Sequence, residues 1–589
     1  MDHDCPVNYF TSRYYKAVYK IIQKKKSLMI TEIVRYTFRV IGKLLYKVRV
    51  TGAENFPLKG GALLIPNHNS LLDAAIVASG EPRMIRFVIY KEVFKTPILG
   101  KFLFSLRMIP IASTRSKTEL MDFYGKCCRE INAGEIVCVF PEGEMPRNGF
   151  MLGFKKGFEL IARQSKSPII PFYVDNALGS PFTFKTGKSK PVKLKISPFR
   201  TPITISIGEK LPFDTSSFQI RQKLKELESE AFTYRVKNEE SISYYLLFSK
   251  KSSVSYLDLA ISARFLKTMK KQNLIYMDFN SDEYQFFIKI ILLAGKTMIT
   301  KDIANNYSDF IRIVNEKNTF IGEDLVFTTK ELKNTISPVC MANGILGKLF
   351  PFTRLQGNSN LISLITKNGD YTHKNLILCV LSLDQVLAFN KNDTIGLTIQ
   401  PDKPIAVVFT LLALIKGLKQ INFSIENKDI NKDVSIIISE KKWVEENYLF
   451  LSDGVGKIIV TDGLLSAEIK KHLSSENGIK VLEGYGDEFF PMISLNTPDF
   501  SGKDIAGKEF VQHCSREGSV GRMLPGVAIK ICDENDGFVL KGEGEEGRLQ
   551  IKGFGLSEKT LKEARFEKGW YVSCSNGYID KDGFLFLKK

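Results

Sequence analysis

The sequence predicts an α/β protein built from two successive α/β domains. Short apolar stretches typical of strands alternate with helical runs, as where "GGALLIPNH" (60–68) is followed by "SLLDAAIVASG" (70–80). A length of 589 residues fits several domains, since about 100 to 200 residues per domain is usual. A charged stretch at 215–240 is typical of a helix and linker. We therefore expect domains at 51–235 and 236–589, preceded by a basic segment at 1–50.

The segment from Lys24 to Arg49 has the pattern of a basic amphipathic helix. Its apolar residues recur at helical spacing: Ile30, Val34, Phe38, Ile41, Leu45 and Val48. Its cations fall every fourth residue on another face: Arg35, Arg39, Lys43 and Lys47. Such a helix lies in the headgroup layer of an anionic membrane, so these four cations are predicted membrane contacts. The alternative is a helix packed on its own domain with a solvated basic face.

The positive charge of the chain is concentrated in its first 250 residues. The whole chain has 83 Lys and Arg against 64 Asp and Glu, a net charge of +19. Residues 1–250 hold 40 of these cations and 22 of the anions, which leaves 43 and 42 for the rest. A basic surface can bind nucleic acid or an acidic membrane. The sequence has no nucleic-acid-binding signature, so a membrane surface is the expected partner.

His68 and Asp73 stand at a predicted strand-to-helix turn. The apolar stretch before them ends at a proline, and Ser70 is a plausible N-cap for the helix that follows. An aspartate on one imidazole nitrogen fixes the tautomer and leaves the other nitrogen free to take a proton from a hydroxyl. The pair therefore indicates a general base. The alternative is that His68 caps the strand or the helix and Asp73 is solvated.

A second polar cluster follows another predicted strand. In "IVCVFPEGEMPRNG" (136–149), a β-branched and aromatic run leads into a loop with two glutamates, a glycine and an arginine. Glycine allows close backbone approach to an anion, and arginine makes planar contact with phosphate. A third apolar strand, "SPIIPFYVDN" (167–176), carries Pro171. The cluster favours a functional role for His68 over the capping alternative.

These blocks and their order resemble the glycerol-phosphate and lysophospholipid acyltransferase family over residues 35–235. The family's first block, His, four residues and Asp, is matched by His68 and Asp73. Its third block reads Phe-Pro-Glu-Gly-Thr-Arg-Ser-Arg, and the matching residues here are Phe140, Pro141, Glu142, Gly143 and Arg147. Its fourth block is matched by Ile170, Pro171 and Phe172.

The chain departs from this pattern at expected phosphate-facing cations. Glu144 and Met145 stand where the family has Thr and Arg. In the second block, Ser113 replaces the expected arginine, and Arg115 lies two residues further on. Arg115 and Arg147 are therefore the candidate headgroup contacts.

The resemblance implies an O-acyltransferase. His68 would deprotonate the free hydroxyl of a lysophospholipid or 1-acylglycerol-3-phosphate, with Asp73 orienting the ring. The alkoxide would attack the thioester of acyl-ACP or acyl-CoA directly. Pro141, Glu142 and Gly143 would shape the loop that binds the acceptor. This chemistry needs no cofactor and no metal, and the cysteines show no zinc-ligand spacing.

The chain is expected to act at the cytoplasmic face of the inner membrane as a peripheral protein. Its nine scattered cysteines suggest a reducing compartment. No uninterrupted apolar run reaches the about 18 to 20 residues of a membrane-spanning helix, and no signal peptide stands out. The longest run, "PIAVVFTLLALI" (404–415), is predicted to be a buried core helix.

The second half predicts an α/β domain, with short strands such as "LILCVLSL" (376–383) and "VSIIIS" (434–439). Residues 250–589 resemble the adenylate-forming acyl-CoA and acyl-carrier-protein synthetases. The resemblance rests on "KVLEGYGDEFFPMISLN" (480–496), on "GSVGRMLPGVAIKICDENDGFVLKGEGEEGRLQIKGFG" (518–555) and on "GWYVSCSNGYIDKDGFLF" (569–586). The order of the two halves resembles the bacterial bifunctional 2-acylglycerophosphoethanolamine acyltransferase/acyl-ACP synthetases.

Several motifs of the synthetase family are altered. "LISLITKNGDY" (361–371) lacks the phosphate-binding loop before Thr372 to Asn375. Asp487, Glu488 and Phe489 stand where the family has x-Thr-Glu, and Ser575 replaces the ribose-binding aspartate. The sequence given ends before the small C-terminal subdomain. We therefore expect an adenylate-forming-like domain that is inactive or only binds, with a bifunctional, ATP-using enzyme as the alternative and a membrane scaffold as a third hypothesis.

Overall fold

The computed structural model describes two compact units. The first comprises residues Met1–Pro146, Gly153–Leu227 and Lys503–Lys508, and the second comprises Arg147–Leu152, Glu228–Gly502 and Glu509–Lys589. The main division falls inside one helix, close to the predicted boundary after residue 235.

Within these units the described residues are 36, 40, 46–177 (except 71–72, 80–82, 97–99, 101–102, 105–106 and 113–115), 201–237, 274–278, 288–289, 291–292, 296–300, 304, 311–314, 325–328 and 362–588 (except 368, 424–433, 452–453, 488, 504–508, 534–539, 556–565 and 568).

The first unit is built on a seven-stranded sheet. Its strands are β1 (Tyr46–Thr51), β2 (Ala62–Pro66), β3 (Ile85–Tyr90), β4 (Ile109–Ile111), β5 (Ile136–Cys138), β6 (Ile169–Asp175) and β7 (Thr201–Ile207). Their order across the sheet is β1-β7-β6-β2-β5-β3-β4. All neighbours are parallel except β6 and β7. The strands predicted at 62–65, 136–140 and 167–176 are therefore confirmed.

Helices connect these strands, as expected for a parallel sheet. They are α1 (Asp73–Ser79), α2 (Lys117–Asn132) and α3 (Gly157–Ser165), with short 3₁₀ helices at Ala53–Asn55 and Lys91–Lys95. After β7, α4 (Ser217–Phe232) leads into a 3₁₀ helix at Thr233–Arg235, which belongs to the second unit. Ser116 caps α2 by accepting a hydrogen bond from the backbone N–H of Glu119. Every residue of β2 and β6 is buried, because the centre of a parallel sheet is covered on both faces.

Pro171 lies within a central strand, a position that proline rarely occupies because it has no N–H to donate. Its carbonyl accepts a hydrogen bond from Gly208 N–H, which follows the last residue of β7. The N–H and C=O of one strand residue point to the same side. The missing N–H of Pro171 therefore faces the end of β7, where the ladder of hydrogen bonds is finishing.

The predicted basic helix from Lys24 to Arg49 is wrong at its C-terminal end. Tyr36 and Val40 are helical, but residues from Tyr46 onward form β1, which pairs with β7. The sequence "YKVRVT" also alternates apolar and basic residues, and this two-residue period prevails because a partner strand is available about 150 residues away. Lys47 is thus an exposed strand residue, whereas Arg35, Arg39 and Lys43 lie outside the described residues.

The second unit contains four described sheets. Six strands form the first: β8 (Leu274–Asp278), β9 (Thr297–Ile299), β10 (Ile311–Val314), β11 (Leu325–Thr328), β12 (Ile362–Ile365) and β13 (Asp370–Thr372). Their order is β11-β10-β8-β9-β12-β13. The second sheet has the order β15-β14-β16-β17-β18-β19-β22, and its strands are β14 (Thr394–Leu397), β15 (Lys419–Asn422), β16 (Ile436–Ser439), β17 (Lys457–Val460), β18 (Lys480–Tyr485), β19 (Ser494–Leu495) and β22 (Arg522–Met523).

Two smaller antiparallel sheets complete the described part of this unit. One pairs β20 (Phe500–Lys503) with β21 (Glu509–Gln512). The other contains β23 (Ala528–Cys532), β24 (Gly547–Lys552), β25 (Phe566–Glu567), β26 (Trp570–Ile579) and β27 (Leu585–Lys588). The α/β class predicted for both halves is confirmed.

The helices of the second unit correct one prediction and confirm another. They are α5 (His373–Val386), α6 (Pro404–Lys416), α7 (Lys441–Asn447) and α8 (Ala467–Lys471). A 3₁₀ turn at Tyr448–Phe450 follows α7, and a π-helical turn at His472–Glu476 follows α8. The predicted strand at 376–383 is wrong, since this run lies inside α5. A capping box between Thr372 and Asn375 starts that helix, and its apolar run is buried on nearly all sides, which hides the helical period. The core helix predicted at 404–415 is confirmed as α6.

Candidate active site

The site lies where three neighbouring strands of the first unit end. β2 runs directly into His68, β5 leads to Glu142, and β6 ends near Val174. These strands are parallel and adjacent, so their carboxyl ends meet at one edge of the sheet. Ligands of open α/β sheets bind in this position.

His68 and Asp73 form a hydrogen-bonded pair. The Nδ1 atom of His68 lies 2.8 Å from Oδ2 of Asp73. Because a carboxylate accepts hydrogen bonds, Nδ1 carries the proton in the neutral ring and Nε2 is left as the basic nitrogen. The side chain of Asp73 is 1% exposed and that of His68 is 21% exposed. The His68–Asp73 contact expected from the sequence is present, and the role of His68 as a general base stays a prediction.

Asp73 is held by the backbone of the loop that it closes. Its Oδ2 atom also accepts the N–H groups of Asn69 at 2.6 Å and Ser70 at 2.8 Å. These two hydrogen bonds fix the orientation of the carboxylate. Burial, together with the nearby Asp73 carboxylate, raises the pKa of the Cys138 thiol well above its usual value, so that buried cysteine stays protonated. The Asp73 carboxylate therefore joins the imidazole of His68 to the backbone of the loop that follows β2.

The imidazole ring is positioned by two residues of the loop after β5. The ring of Phe140 stacks on that of His68, with centroids 4.4 Å apart. The carboxylate of Glu142 accepts the backbone N–H of His68 at 2.8 Å and is itself almost fully buried. Glu142 was predicted to shape the acceptor loop, and this contact means that it also fixes the backbone at His68.

Asn67 also holds this loop, and sequence reasoning missed it. Its side chain is buried and makes two hydrogen bonds with the backbone of Val174 in β6. Val174 N–H donates to Asn67 Oδ1 at 2.7 Å, and Asn67 Nδ2 donates to Val174 O at 3.1 Å. A buried, doubly bonded amide immediately before His68 fixes where the imidazole stands. An asparagine between a proline and a histidine was the only local signal.

Gly143 and Lys155 place a cation beside the loop after β5. Gly143 has φ of +72°, which favours glycine, and a Cβ built there would lie 3.5 Å from Lys155 Cγ. The backbone N–H of Lys155 donates to Pro141 O at 2.8 Å. The Lys155 side chain is exposed, whereas Met145, at the family's arginine position, is buried. Sequence reasoning overlooked Lys155, although the pair of lysines in "GFKKG" was visible.

The two predicted headgroup arginines have different outcomes. Arg115 lies outside the described residues. Arg147 belongs to the second unit, where its side chain is buried and its guanidinium lies 5.6 Å from the ring centroid of Phe510 and 6.0 Å from that of Phe500. Its backbone N–H donates to Gln512 Oε1. A headgroup contact by Arg147 therefore remains only a prediction.

Two of the altered synthetase motifs come together within the second unit. The Tyr485 hydroxyl lies 2.7 Å from the hydroxyl of Ser575, and Asp487 Oδ2 accepts a bond from Ser573 at 3.3 Å. Asp487 Oδ1 accepts the N–H groups of Phe489 and Phe490. Burial is the main cause that raises the pKa of Asp487. Glu488 lies outside the described residues.

Two absences apply to the residues that the structure describes. None of their helices is both long and apolar enough to cross a membrane. They contain no group of three or more His, Cys, Asp or Glu side chains arranged to hold a metal ion.

Comparison with curated proteins links the chain to acyltransferases and to a CoA ligase. The chain is 27% identical over 127 residues to a chloroplast 1-acyl-sn-glycerol-3-phosphate acyltransferase of Arabidopsis thaliana, covering 21% of this chain and 35% of that protein. It is 28% identical over 135 residues to the Helicobacter pylori enzyme of the same name, covering 23% and 54%. The chain thus spans between about a third and about half of these acyltransferases. It is also 30% identical over 120 residues to a 2-succinylbenzoate–CoA ligase of Bacillus pumilus, covering 19% and 22%.

Two solved structures of CoA ligases are among the chains similar to this one. An o-succinylbenzoate CoA synthetase of Bacillus subtilis matches with a TM-score of 0.44 and 14% identity, covering 57% of this chain and 71% of that one. A long-chain-fatty-acid-CoA ligase of Archaeoglobus fulgidus matches with a TM-score of 0.45 and 13% identity, covering 57% and 76%.

A family model gives the clearest assignment for the first half. The model described as "Acyltransferase" matches residues 47–175, a range that contains His68, Asp73 and the loop after β5. The acyltransferase domain expected from the spaced blocks is therefore confirmed. Residues 47–175, which carry the hydrogen-bonded His68 and Asp73 at the strand ends, are an acyltransferase-family domain.

Proposed function

We propose that the protein is an O-acyltransferase of phospholipid synthesis or repair. It moves a fatty acyl group from acyl-ACP or acyl-CoA to the free hydroxyl of a lysophospholipid or of 1-acylglycerol-3-phosphate. The observation that carries the proposal is the 2.8 Å contact between His68 Nδ1 and Asp73 Oδ2 at the meeting strand ends. Relatives named as 1-acyl-sn-glycerol-3-phosphate acyltransferases support this acceptor class.

The reaction needs one base and one direct transfer. Nε2 of His68 takes the proton of the acceptor hydroxyl as its oxygen attacks the thioester carbonyl. Asp73 stabilises the imidazolium that forms. When the tetrahedral intermediate collapses, the C–S bond breaks and the imidazolium returns the proton to the leaving thiolate. An ester and a free thiol result, with no acyl-enzyme.

Lys155 is a candidate contact for an anionic headgroup. It is exposed beside Gly143 and Pro141, on the loop that also holds the backbone of His68 through Glu142. The ammonium group of Lys155 would supply part of the positive charge that an arginine provides in the family and that Met145 lacks. Because a lysine acts as a point charge, it suits phosphate oxygens without demanding planar geometry.

We propose that the protein works at the cytoplasmic face of a membrane as a peripheral protein. The acceptor lipids reside in that layer. The net positive charge of residues 1–250 favours an anionic surface. Tyr36 and Val40, two helical residues of the N-terminal segment, expose apolar side chains, with 71% of Tyr36 accessible.

We propose that the second half does not form acyl adenylates and instead binds acyl chains, carrier protein or the acyltransferase half. The altered motifs before Thr372 and at Ser575 support this. The alternative is a bifunctional enzyme that also activates fatty acids with ATP. The similarity to a CoA ligase supports this alternative.

A panel assay tests the acyltransferase. Purified full-length protein is offered lysophospholipids of different headgroups and 1-acylglycerol-3-phosphate, each with acyl-CoA and with acyl-ACP, and the products are identified by mass. We expect a diacyl product from at least one pair, absent with His68→Ala. If no pair gives a product above that variant, the proposed function is wrong.

A further inference from the structure

The outer side of α3, in the first unit, presents two cations with a leucine between them. The side chains of the buried side of this helix are Phe158, Ile161 and Ala162. Lys156, Leu160 and Arg163 are exposed, with 45% of Leu160 accessible. Their spacings of four and three residues place them in one line along the helix, opposite the buried side. We call these three residues the α3 stripe.

The α3 stripe carries an excess of positive charge. Residues 153–166 hold four cations and one anion. The anion, Glu159, accepts the backbone N–H of Ser217 at 2.7 Å through Oε1, and its Oε2 lies 3.7 Å from Arg163 Nη2. Lys156 has no ion pair with any residue that the structure describes. Such a surface attracts an acidic partner.

The α3 stripe begins beside the loop that positions His68. Lys155 immediately precedes it, and its backbone N–H donates to Pro141 O at 2.8 Å. In the same loop, the carboxylate of Glu142 accepts the backbone N–H of His68. At a rise of 1.5 Å per residue, the stripe extends about 10 Å along the helix. A partner bound there would lie next to the proposed active site.

The shape and composition of the α3 stripe fit a protein partner. Small molecules bind in clefts, whereas the stripe is the convex outer side of a helix. A helix that lies in a membrane exposes a broad apolar face, but Leu160 is the single exposed apolar residue of α3. An apolar centre with charged residues around it is the usual arrangement of a protein–protein interface.

We propose that the α3 stripe docks a small acidic protein that carries the acyl group as a thioester. Lys156 and Arg163 pair with carboxylates of this carrier, and Leu160 packs against an apolar spot between them. The inference rests on the proposed acyl transfer and specifies its donor as acyl-ACP. The stripe recognises the carrier and takes no part in the proton transfer at His68.

Kinetics of the full-length protein with two donors test the proposal. The donors are palmitoyl-CoA and the palmitoyl thioester of a bacterial acyl carrier protein, each with the best acceptor. The double variant Lys156→Ala/Arg163→Ala should raise KM for the carrier-bound donor by about three- to thirtyfold, since each exposed ion pair contributes little by itself. KM for palmitoyl-CoA and both kcat values should stay unchanged. Leu160→Ala should act in the same direction.

A matched control removes two exposed cations elsewhere in the first unit, Lys59 and Lys117, by alanine substitution, and should change neither KM. Equal changes in KM for both donors, or no change for either, would overturn the docking proposal. Transfer from palmitoyl-CoA alone would also overturn it, while the proposed acyl transfer would stand.

A binding measurement makes the docking proposal independent of turnover. Fluorescence anisotropy of labelled acyl carrier protein, titrated with the full-length His68→Ala protein, should show binding that weakens as salt rises and as Lys156 and Arg163 are removed. If neither donor gives a product, the proposed function is wrong, but this result would still support docking. If the double variant loses binding to anionic vesicles and keeps binding to the carrier, the stripe is a membrane contact and the proposal fails.

Discussion

His68 and Asp73 carry the clearest prediction for a single side chain. His68→Ala removes the base and should lower kcat by about 10²–10⁴-fold, the usual contribution of a general base. Asp73→Asn should cost less, because the ring remains and an amide oxygen can still accept the N–H groups of Asn69 and Ser70. Steady-state kinetics with the best substrate pair measures both. Near-normal activity of a folded His68→Ala protein would disprove the assignment.

Asn67 allows a test of how the loop is held. Asn67→Ala leaves the N–H and C=O of Val174 buried without their partner, at a cost of about 1–3 kcal/mol for a buried group. We expect faster hydrogen exchange at the Val174 amide and a lower kcat, because the backbone before His68 loses its anchor.

Asn69→Ala is the matched control for this prediction. The Asn69 side chain reaches Val174 O only at 3.5 Å, so its loss should change exchange and kcat little. If the two variants behave alike, Asn67 does not position the loop.

Sequence reasoning found the contact between residues that are close together in the chain. It missed the contacts between residues that are far apart in the chain. His68 and Asp73 are five residues apart, so their contact follows from one turn of chain. The bonds from His68 to Glu142 and from Asn67 to Val174 span 74 and 107 residues. They depend on which strands are neighbours, and strand order cannot be read from local periodicity. Local spacing likewise does not reveal that Arg147 belongs to a chain segment that packs in the second unit.

Helix α5 supplies a pH-dependent test at the level of a secondary-structure element. Burial lowers the pKa of His373, its first residue, to about 4, against about 6.5 when unfolded. As the pH falls from 6.5 toward 4, His373 binds a proton in the unfolded chain but not in the folded one. The free energy of unfolding therefore falls below its value above pH 6.5. Between pH 7 and 4.5 this amounts to about 2 kcal/mol.

Fluorescence can follow this loss, because both tryptophans of the chain, Trp443 and Trp570, lie in the second unit. His373→Gln should reduce the difference between the free energies of unfolding at pH 7 and pH 4.5. An unchanged difference in His373→Gln would contradict the expected proton linkage.

The basic N-terminal segment gives a second test at this level. Each cation near an anionic membrane contributes roughly 1 kcal/mol, so neutralising Arg35, Arg39, Lys43 and Lys47 together should weaken vesicle binding strongly. Sedimentation with anionic vesicles measures it, and binding should also fall as salt rises. The control neutralises four exposed lysines of the second unit: Lys391, Lys442, Lys480 and Lys581. Equal binding by both variants would favour a structural role for the segment.

Periodicity predicted elements where one pattern was present and failed where two competed. The strands at 62–66 and 169–175 and the helix at 404–416 follow from uniform apolar runs with clear ends. In α5 the same uniform burial removed the polar face that distinguishes a helix from a strand. At Tyr46–Thr51 the helical and the alternating pattern overlapped, and tertiary pairing with β7 decided between them.

Adenylate formation is the test for the whole molecule. If the altered motifs have removed this activity, ATP- and fatty-acid-dependent pyrophosphate exchange should not exceed that of a heat-killed sample, while acyl transfer persists in the same preparation. The measurement requires no knowledge of the acceptor lipid. Exchange above the control would make the protein bifunctional.

The distance along the chain between the catalytic contacts has a consequence for biosynthesis. The centre draws on β2, β5 and β6, so a nascent chain has no complete site until residue 175 has left the ribosome and the sheet has closed. Closure of such long loops is slow compared with helix formation. The contacts that hold His68, the proposed general base, are therefore complete only after the basic N-terminal segment and most of the sheet have been made.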